Sequence, residues 1–401
     1  MLPVVVAVVL FGHFISSSSI ETGVRWCCIS KLEMVKCQHL MNVTLQVTSL
    51  ASLTCVNGGS LENCMKMIAN GSADVITLGD EHIYQAGSQH GLAPIVAEDY
   101  GNHEDGLSSY AVALIKSNLS KEISLATLER SRTCHPSAGD SVGWTAPVGY
   151  LIGHGMMTSK DCNPYVSSGQ FFQKSCVPGA LSRKYNPEGS NPSKLCGICS
   201  NQKTCPRNAS ERYYGYHGAY RCLTEGAGDV AFVSHLSVFD FTGLENDLNP
   251  GEDFGLLCPD GNRKDVGNFQ TCNLARIPSR VIMGRPDGDE MKSIKQKLLH
   301  LQEFLLLKPD LFQLFNSSAY GSKDLLLKDS TVKLIDVKEK NSTEAWLGEK
   351  YFKALKTLRS CQTVAAAARS FGETLKTWKV GQLLCFYLVL FFSLSSMCLV
   401  Q

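Results

Sequence analysis

Short apolar runs alternate with helical stretches along most of the chain. Glu62-Asn-Cys-Met-Lys-Met-Ile-Ala69 has helical spacing and is followed by Ser72-Ala-Asp-Val-Ile-Thr-Leu78, a run of the length and apolarity of a buried strand. Gly226-Ala-Gly-Asp-Val-Ala-Phe-Val233 is a second run of this kind. Strands fed by helices predict α/β units around a mostly parallel sheet. Longer amphipathic patterns come late, at 290–307 and 343–358, and predict two helices. The stretch 159–206 has no periodicity but carries glycine and cysteine, so it reads as an insertion stapled by disulfides. The sequence shows no internal repeat, low-complexity tract or sustained heptad.

Composition narrows the class. The 401 residues, 44% hydrophobic and 19% charged, suffice for two or three compact domains and exclude disorder as the dominant state. With 38 Lys plus Arg against 37 Asp plus Glu there is no basic footprint, and no nucleic-acid partner is expected. The 17 cysteines point to an oxidising compartment.

Both chain ends agree with that compartment. Residues 2–15 are apolar and Ser16 to Ser19 follow, which predicts a signal peptide over 1–19. Residues 383–401 form an uncharged apolar tail behind a polar spacer, 362–382. A membrane span is one reading of the tail, but only Gln401 follows it where cytoplasmic Lys or Arg would be expected. A glycolipid-anchor signal that is removed fits better, with a retained hydrophobic tail as the alternative. Six glycosylation sequons, at Asn42, Asn70, Asn118, Asn208, Asn316 and Asn341, complete the expectation of a secreted or surface-anchored glycoprotein.

Catalytic motifs are missing from the sequence. His39, His82, His90, His103, His154 and His217 have no zinc-protease spacing, and no nucleophile elbow or phosphate loop occurs. Cys196-Gly-Ile-Cys199 is better assigned to disulfides than to zinc, and Asp287-Gly-Asp-Glu290 begins like a calcium loop without its later ligands. The chain is not expected to be an enzyme.

Longer motifs carry a resemblance. Val24-Arg-Trp-Cys-Cys-Ile-Ser30, Val96-Ala-Glu-Asp-Tyr-Gly101, Cys134-His135 with Gly143-Trp144, and Tyr214-Gly-Tyr-His-Gly-Ala-Tyr-Arg-Cys222 resemble a lobe of the transferrin family. So do Glu225 to Val233, Ala319 to Ser330 and Glu344 to Tyr351, and the likeness covers residues 24–361. It implies an α/β lobe of two α/β domains with mixed sheets around a cleft, similar to periplasmic binding proteins. One domain would comprise 24–105 plus 275–361 and the other 106–274, with two extended strands as hinge. The resemblance also implies seven disulfides: Cys27–Cys64, Cys37–Cys55, Cys134–Cys222, Cys162–Cys361, Cys176–Cys199, Cys196–Cys205 and Cys258–Cys272. Cys28, Cys385 and Cys398 remain, and of these only Cys28 lies ahead of the tail, as a buried spare thiol or a handle for intermolecular cross-linking.

The family holds ferric iron with Asp, two Tyr and His, and carbonate with Arg, Thr and a helix N-terminus. Carried over residue by residue, the tyrosine positions are filled by Tyr100 and Tyr216, while the Asp position is Gly79 and the His position is Arg280. Asp80 adjoins Gly79 but is expected to point to the opposite face. At the anion site Pro136 stands in place of Thr and Asp140 in place of Arg. Iron and carbonate binding are therefore expected to be lost, with Asp140 and Arg280 either merely solvated in a cleft no longer used for iron or standing in for the anion's and the metal's charges. By resemblance to single-lobe relatives, the expected role is in the organic matrix of a calcium carbonate biomineral, through contacts with other extracellular matrix proteins. A glycolipid-anchored metal-binding protein and an inhibitor of another enzyme are the alternatives. Membrane contact would come only through a lipid anchor or the tail.

Overall fold

The computed structural model describes residues 23–359 apart from 102–106, 121, 161, 243–248 and 287, and gives no side-chain placement for 80 and 81. The predicted signal peptide, spacer and tail, with Cys361, Cys385 and Cys398, lie outside the described residues.

The first part of the chain runs β1 (Val24–Cys28), α1 (Lys31–Gln46), β2 (Leu53–Asn57), α2 (Leu61–Ala69), β3 (Ile76–Leu78), α3 (Asp80–His90) and β4 (Ala93–Asp99). Serines start the first two helices, Ser30 accepting from Glu33 N and Ser60 from Asn63 N. A second part follows with β5 (Ser108–Lys116), β6 (Arg132–Cys134), α4 (Ala146–Gly153), α5 (Pro164–Phe171), β7 (Lys174–Cys176), α6 (Gly215–Thr224) and β8 (Val230–Ser234). It continues through α7 (Ser237–Thr242), α8 (Pro250–Asp253), β9 (Phe254–Leu257), β10 (Arg263–Asp265) and β11 (Ala275–Pro278). The chain then returns through β12 (Val281–Gly284), α9 (Asp289–Leu307), β13 (Lys333–Asp336), α10 (Thr343–Leu347) and a last helix, 349–359.

Among the described residues the strands form three sheets. β1 and β2 pair in parallel; β13-β4-β12-β3 form a small sheet; β10-β9-β5-β8-β6-β7, with β11 beside β5, form a large one. Mixed sheets agree with the family's lobe, but the mostly parallel sheet expected from the local pattern does not form. Only β1 with β2, and β6 with β7 and β8, are parallel pairs between named strands. The rest are antiparallel: long connections let the chain re-enter a sheet in either direction, and the local apolar pattern does not encode which. The pattern at 343–358 also divides, since Gly348 lies at φ +76° and ends one helix before the next begins.

The structure contains a recurrence that the sequence pattern hides. Asp74 accepts from Arg25 N at 2.9 Å, Nε at 3.0 Å and Nη2 at 2.5 Å, tying β1 to the approach to β3. Asp229 accepts from Arg132 N at 2.8 Å, Nε at 3.2 Å and Nη2 at 2.6 Å, tying β6 to the approach to β8. Two residues after each arginine comes a disulfide cysteine, and the strand bridges Trp26 to Val75 and Thr133 to Val230 correspond. Both parts of the chain are built on one clamp.

Cys27–Cys64, Cys37–Cys55, Cys134–Cys222, Cys176–Cys199, Cys196–Cys205 and Cys258–Cys272 are paired. Cys162 is also disulfide-bonded, and Cys361 lies outside the described residues. The stretch 159–206 carries two of these bridges, which consume the Cys196-Gly-Ile-Cys199 thiols.

The two parts are joined at crossing strands. β11 pairs with β5, so residues 275–278 sit in the large sheet and the passage into the small one falls at Ser279–Arg280. The other passage, after β4, runs alongside, and Ser279 N donates to the Leu107 carbonyl at 2.6 Å. One apolar core runs through both parts, including Ala97, Ile277, Trp346 and Leu355 with Tyr150, Leu151 and Phe232.

Candidate functional site

A cavity of about 470 Å³ opens where the crossing strands meet the large sheet. Tyr100, Ser279, Arg280 and Lys328 line one side, and Asp140, Ser141, Tyr216, Ser237 and Asp240 the other. The structure thus brings Tyr100, Tyr216, Asp140 and Arg280 to one cleft.

Tyr100 follows β4, the strand that also carries Glu98. Its hydroxyl donates to Glu98 Oε2 at 3.1 Å and accepts from Arg280 N at 3.1 Å, while Lys328 Nζ stands 4.6 Å from the ring centroid. Burial, with the Glu98 charge second, pushes the phenol above its ordinary range. This environment disfavours a phenolate.

Glu98 is fully buried and accepts from Lys328 N at 3.3 Å and Thr331 Oγ1 at 3.1 Å. Desolvation raises its carboxyl, and the Arg280 charge is the largest opposing influence. Arg280 acts in the same direction on Glu33, which accepts from Ile29 N. The guanidinium therefore has carboxyl groups on its own side of the cleft. It also packs on Gly79, where an added Cβ would come within 3.1 Å of Arg280 Cγ. The side chain of Asp80 lies outside what the structure describes.

Asp140 precedes a π-helical turn, Ser141–Thr145, that leads into α4. Its Oδ1 accepts from Val142 N at 3.1 Å and Gly143 N at 2.6 Å, so the carboxylate occupies the helix-start amides that would otherwise suit a bound anion. Tyr216 Oη donates to both carboxylate oxygens, at 3.1 and 3.2 Å. Pro136 is buried against this turn, where a Cβ on Gly143 would clash with its ring. The neighbouring His135 is fully buried, bonded to the Gly143 carbonyl and Thr133 Oγ1, and burial lowers its pKa to about 4.

Sequence reading missed Glu98, Lys328, Ser237 and Ser279. Alternation along β4 places Glu98 and Tyr100 on one face, which was a usable signal; Lys328 and the serines arrive from distant segments and leave none. The predicted glycan acceptors Asn42, Asn70, Asn118, Asn208, Asn316 and Asn341 are all exposed. Among the described residues no helix is long and apolar enough to cross a membrane.

Two sheet-built halves around a cleft, stapled by disulfides, define the class of this lobe. The Transferrin family model matches residues 24–360, and the chain belongs to the transferrin family. It is 38% identical to melanotransferrin of Homo sapiens over 370 residues, covering 88% of this chain and 48% of that protein. It is also 38% identical to otolith matrix protein 1 of Danio rerio over 357 residues, covering 86% of this chain and 94% of that protein. Serotransferrin-1 of Salmo salar is 34% identical over 354 residues, with 87% of this chain and 46% of that protein covered. The chain spans about half the length of the melanotransferrins it matches.

Proposed function

We propose that this protein is a secreted or surface-tethered transferrin homologue that does not carry ferric iron with carbonate and instead has a binding or structural role in an extracellular matrix. The observation that carries the reading is the pair of charges in the cleft. Ferric iron needs anionic oxygen ligands, whereas Gly79 provides no carboxylate and Arg280 brings a fixed positive charge to the histidine position. Carbonate needs a cationic anchor and unsatisfied amides, whereas Asp140 is itself anionic and already holds the amides of Val142 and Gly143. Tyr100 and Tyr216 serve as hydrogen-bonding wall residues.

Similarity to otolith matrix protein 1 over nearly that protein's whole length supports a biomineral matrix as the setting, with other matrix proteins as partners. The near-zero net charge favours scaffolding through protein and glycan contacts over direct mineral nucleation by a polyanion. Titration with ferric citrate in bicarbonate is expected to give no visible tyrosinate-to-iron band; a saturable band at one equivalent would overturn the reading. The similarity to melanotransferrin favours a second reading, a glycolipid-anchored metal binder, which requires both that band and release from cells by a phosphatidylinositol-specific phospholipase.

A further inference from the structure

We infer that the cleft binds a small zwitterion, a free α-amino acid or a short peptide, with its carboxylate toward Arg280 and Lys328 and its ammonium group toward Asp140 and Asp240. The inference rests on the reading above, that ferric iron and carbonate do not fill this site.

Charges of both signs in one cleft disfavour ligands of a single sign, with Glu98 and Glu33 also facing Arg280 from its own side. Arg280 and Lys328 line the side built from the crossing strand and the 317–331 segment, whereas Asp140 and Asp240 line the side built from the α4 and α7 segments. A plain anion that bonds Arg280 faces the Asp140 carboxylate, and a plain cation at Asp140 faces Arg280 and Lys328. A molecule carrying both charges satisfies the two sides together. The cavity, about 470 Å³, falls within the range of small-molecule sites.

Two hydroxyls make an independent argument for a ligand. Ser237 and Ser279 are 1% and 4% exposed, both line the cavity, and among the described residues neither Oγ has a hydrogen-bond partner. Buried hydroxyls are ordinarily satisfied, and an unmet one costs about 1–3 kcal/mol. They come from opposite sides of the cleft, so a polar ligand between them completes both. Elsewhere in the cleft Ser109 and Ser234 satisfy one another at 2.7 Å.

Calorimetric titration of the full secreted chain with free L-amino acids and glycylglycine tests this, with acetate and ethylammonium as single-charge halves. At least one zwitterion is expected to bind saturably with 1:1 stoichiometry, and neither half to do so. Arg280→Gln and Asp140→Asn are each expected to weaken binding by about tenfold or more, the worth of a charge-assisted hydrogen bond. Asp140→Asn keeps a capping acceptor, so its urea midpoint should stay near the parent's and separate lost binding from lost folding. The inference is overturned by no saturable binding up to about ten millimolar, acetate binding as well as the zwitterions, or both variants retaining parental affinity. Ferric titration is read separately: a tyrosinate band sinks the iron-site reading, whereas silence from both iron and zwitterions sinks only this inference.

Discussion

At the residue scale, two buried groups have consequences that solution chemistry can read. Lys36 is fully buried on α1, donating to Ser317 Oγ at 3.2 Å and the Leu325 carbonyl at 3.0 Å, and desolvation lowers its pKa to about 8 despite Asp329, Asp324, Glu33 and Glu98 nearby. Because the folded pKa lies below the ordinary value near 10.4, the unfolded chain binds more protons between about pH 8 and 10.4. Stability from this group therefore rises with pH through that window, by as much as about 3 kcal/mol. Urea midpoints at pH 7.5 and 9.5 are expected to show the rise in the parent relative to Lys36→Met; parallel pH dependences would show that Lys36 keeps an ordinary pKa. Cys28 is also fully buried, and burial, with Glu33 second, pushes its thiol up to about 12. Native protein at pH 8 should resist iodoacetamide at Cys28 and label only after unfolding, as expected for a spare core thiol. Rapid native labelling or a covalent dimer on a non-reducing gel would instead make it a cross-linking handle. The buried spare thiol at Cys28 was one of the two readings open in the sequence, whereas the burial of Lys36 was not legible, because its partners Ser317 and Leu325 lie far along the chain.

At the element scale, the clamp of arginine, aspartate and disulfide explains how two short strands in each part are held in parallel without a long ladder. Cys134–Cys222 closes a separation of 88 residues and joins β6 to α6, which packs on β8. Loop-closure entropy gives such a bridge about 4.6 kcal/mol, and the measured range for native disulfides is about 2–5 kcal/mol. The Cys134→Ser, Cys222→Ser double variant is expected to lose stability in that range in denaturant titration; a loss under about 1 kcal/mol would show that Arg132–Asp229 and the packing hold the unit unaided. Local order was well marked in the sequence: α2, β8 and α9 fall where apolar spacing placed them. Strand direction and the sheet change at Ser279–Arg280 were not marked, because they depend on partners across long separations. The clamp went unseen for a related reason. Only its few anchoring residues recur, while the helices between them differ in length and composition.

At the scale of the whole molecule, the cleft's capacity to open or close depends on what else joins its two sides. The crossing strands supply one connection and the helix 349–359 a second, because it packs against α4 of the part that carries Asp140. The approach is close enough to require glycine: a Cβ at Gly149 would come within 2.7 Å of Ala354 Cβ and 2.8 Å of its carbonyl oxygen. Tyr351 and Leu355 of the same helix share one core with Tyr150 and Leu151, so the sides are coupled through packed side chains as well as through the chain. A valine at position 149 must displace backbone, and overpacking of this kind costs about 1–3 kcal/mol. Gly149→Val is accordingly expected to lower the urea midpoint. It should also turn one cooperative transition, followed by tryptophan fluorescence and circular dichroism together, into two that no longer coincide. If the parent already unfolds in two separated steps, the shared core does not couple the halves; if the variant unfolds like the parent, the helix has another way to dock and does not restrain the cleft.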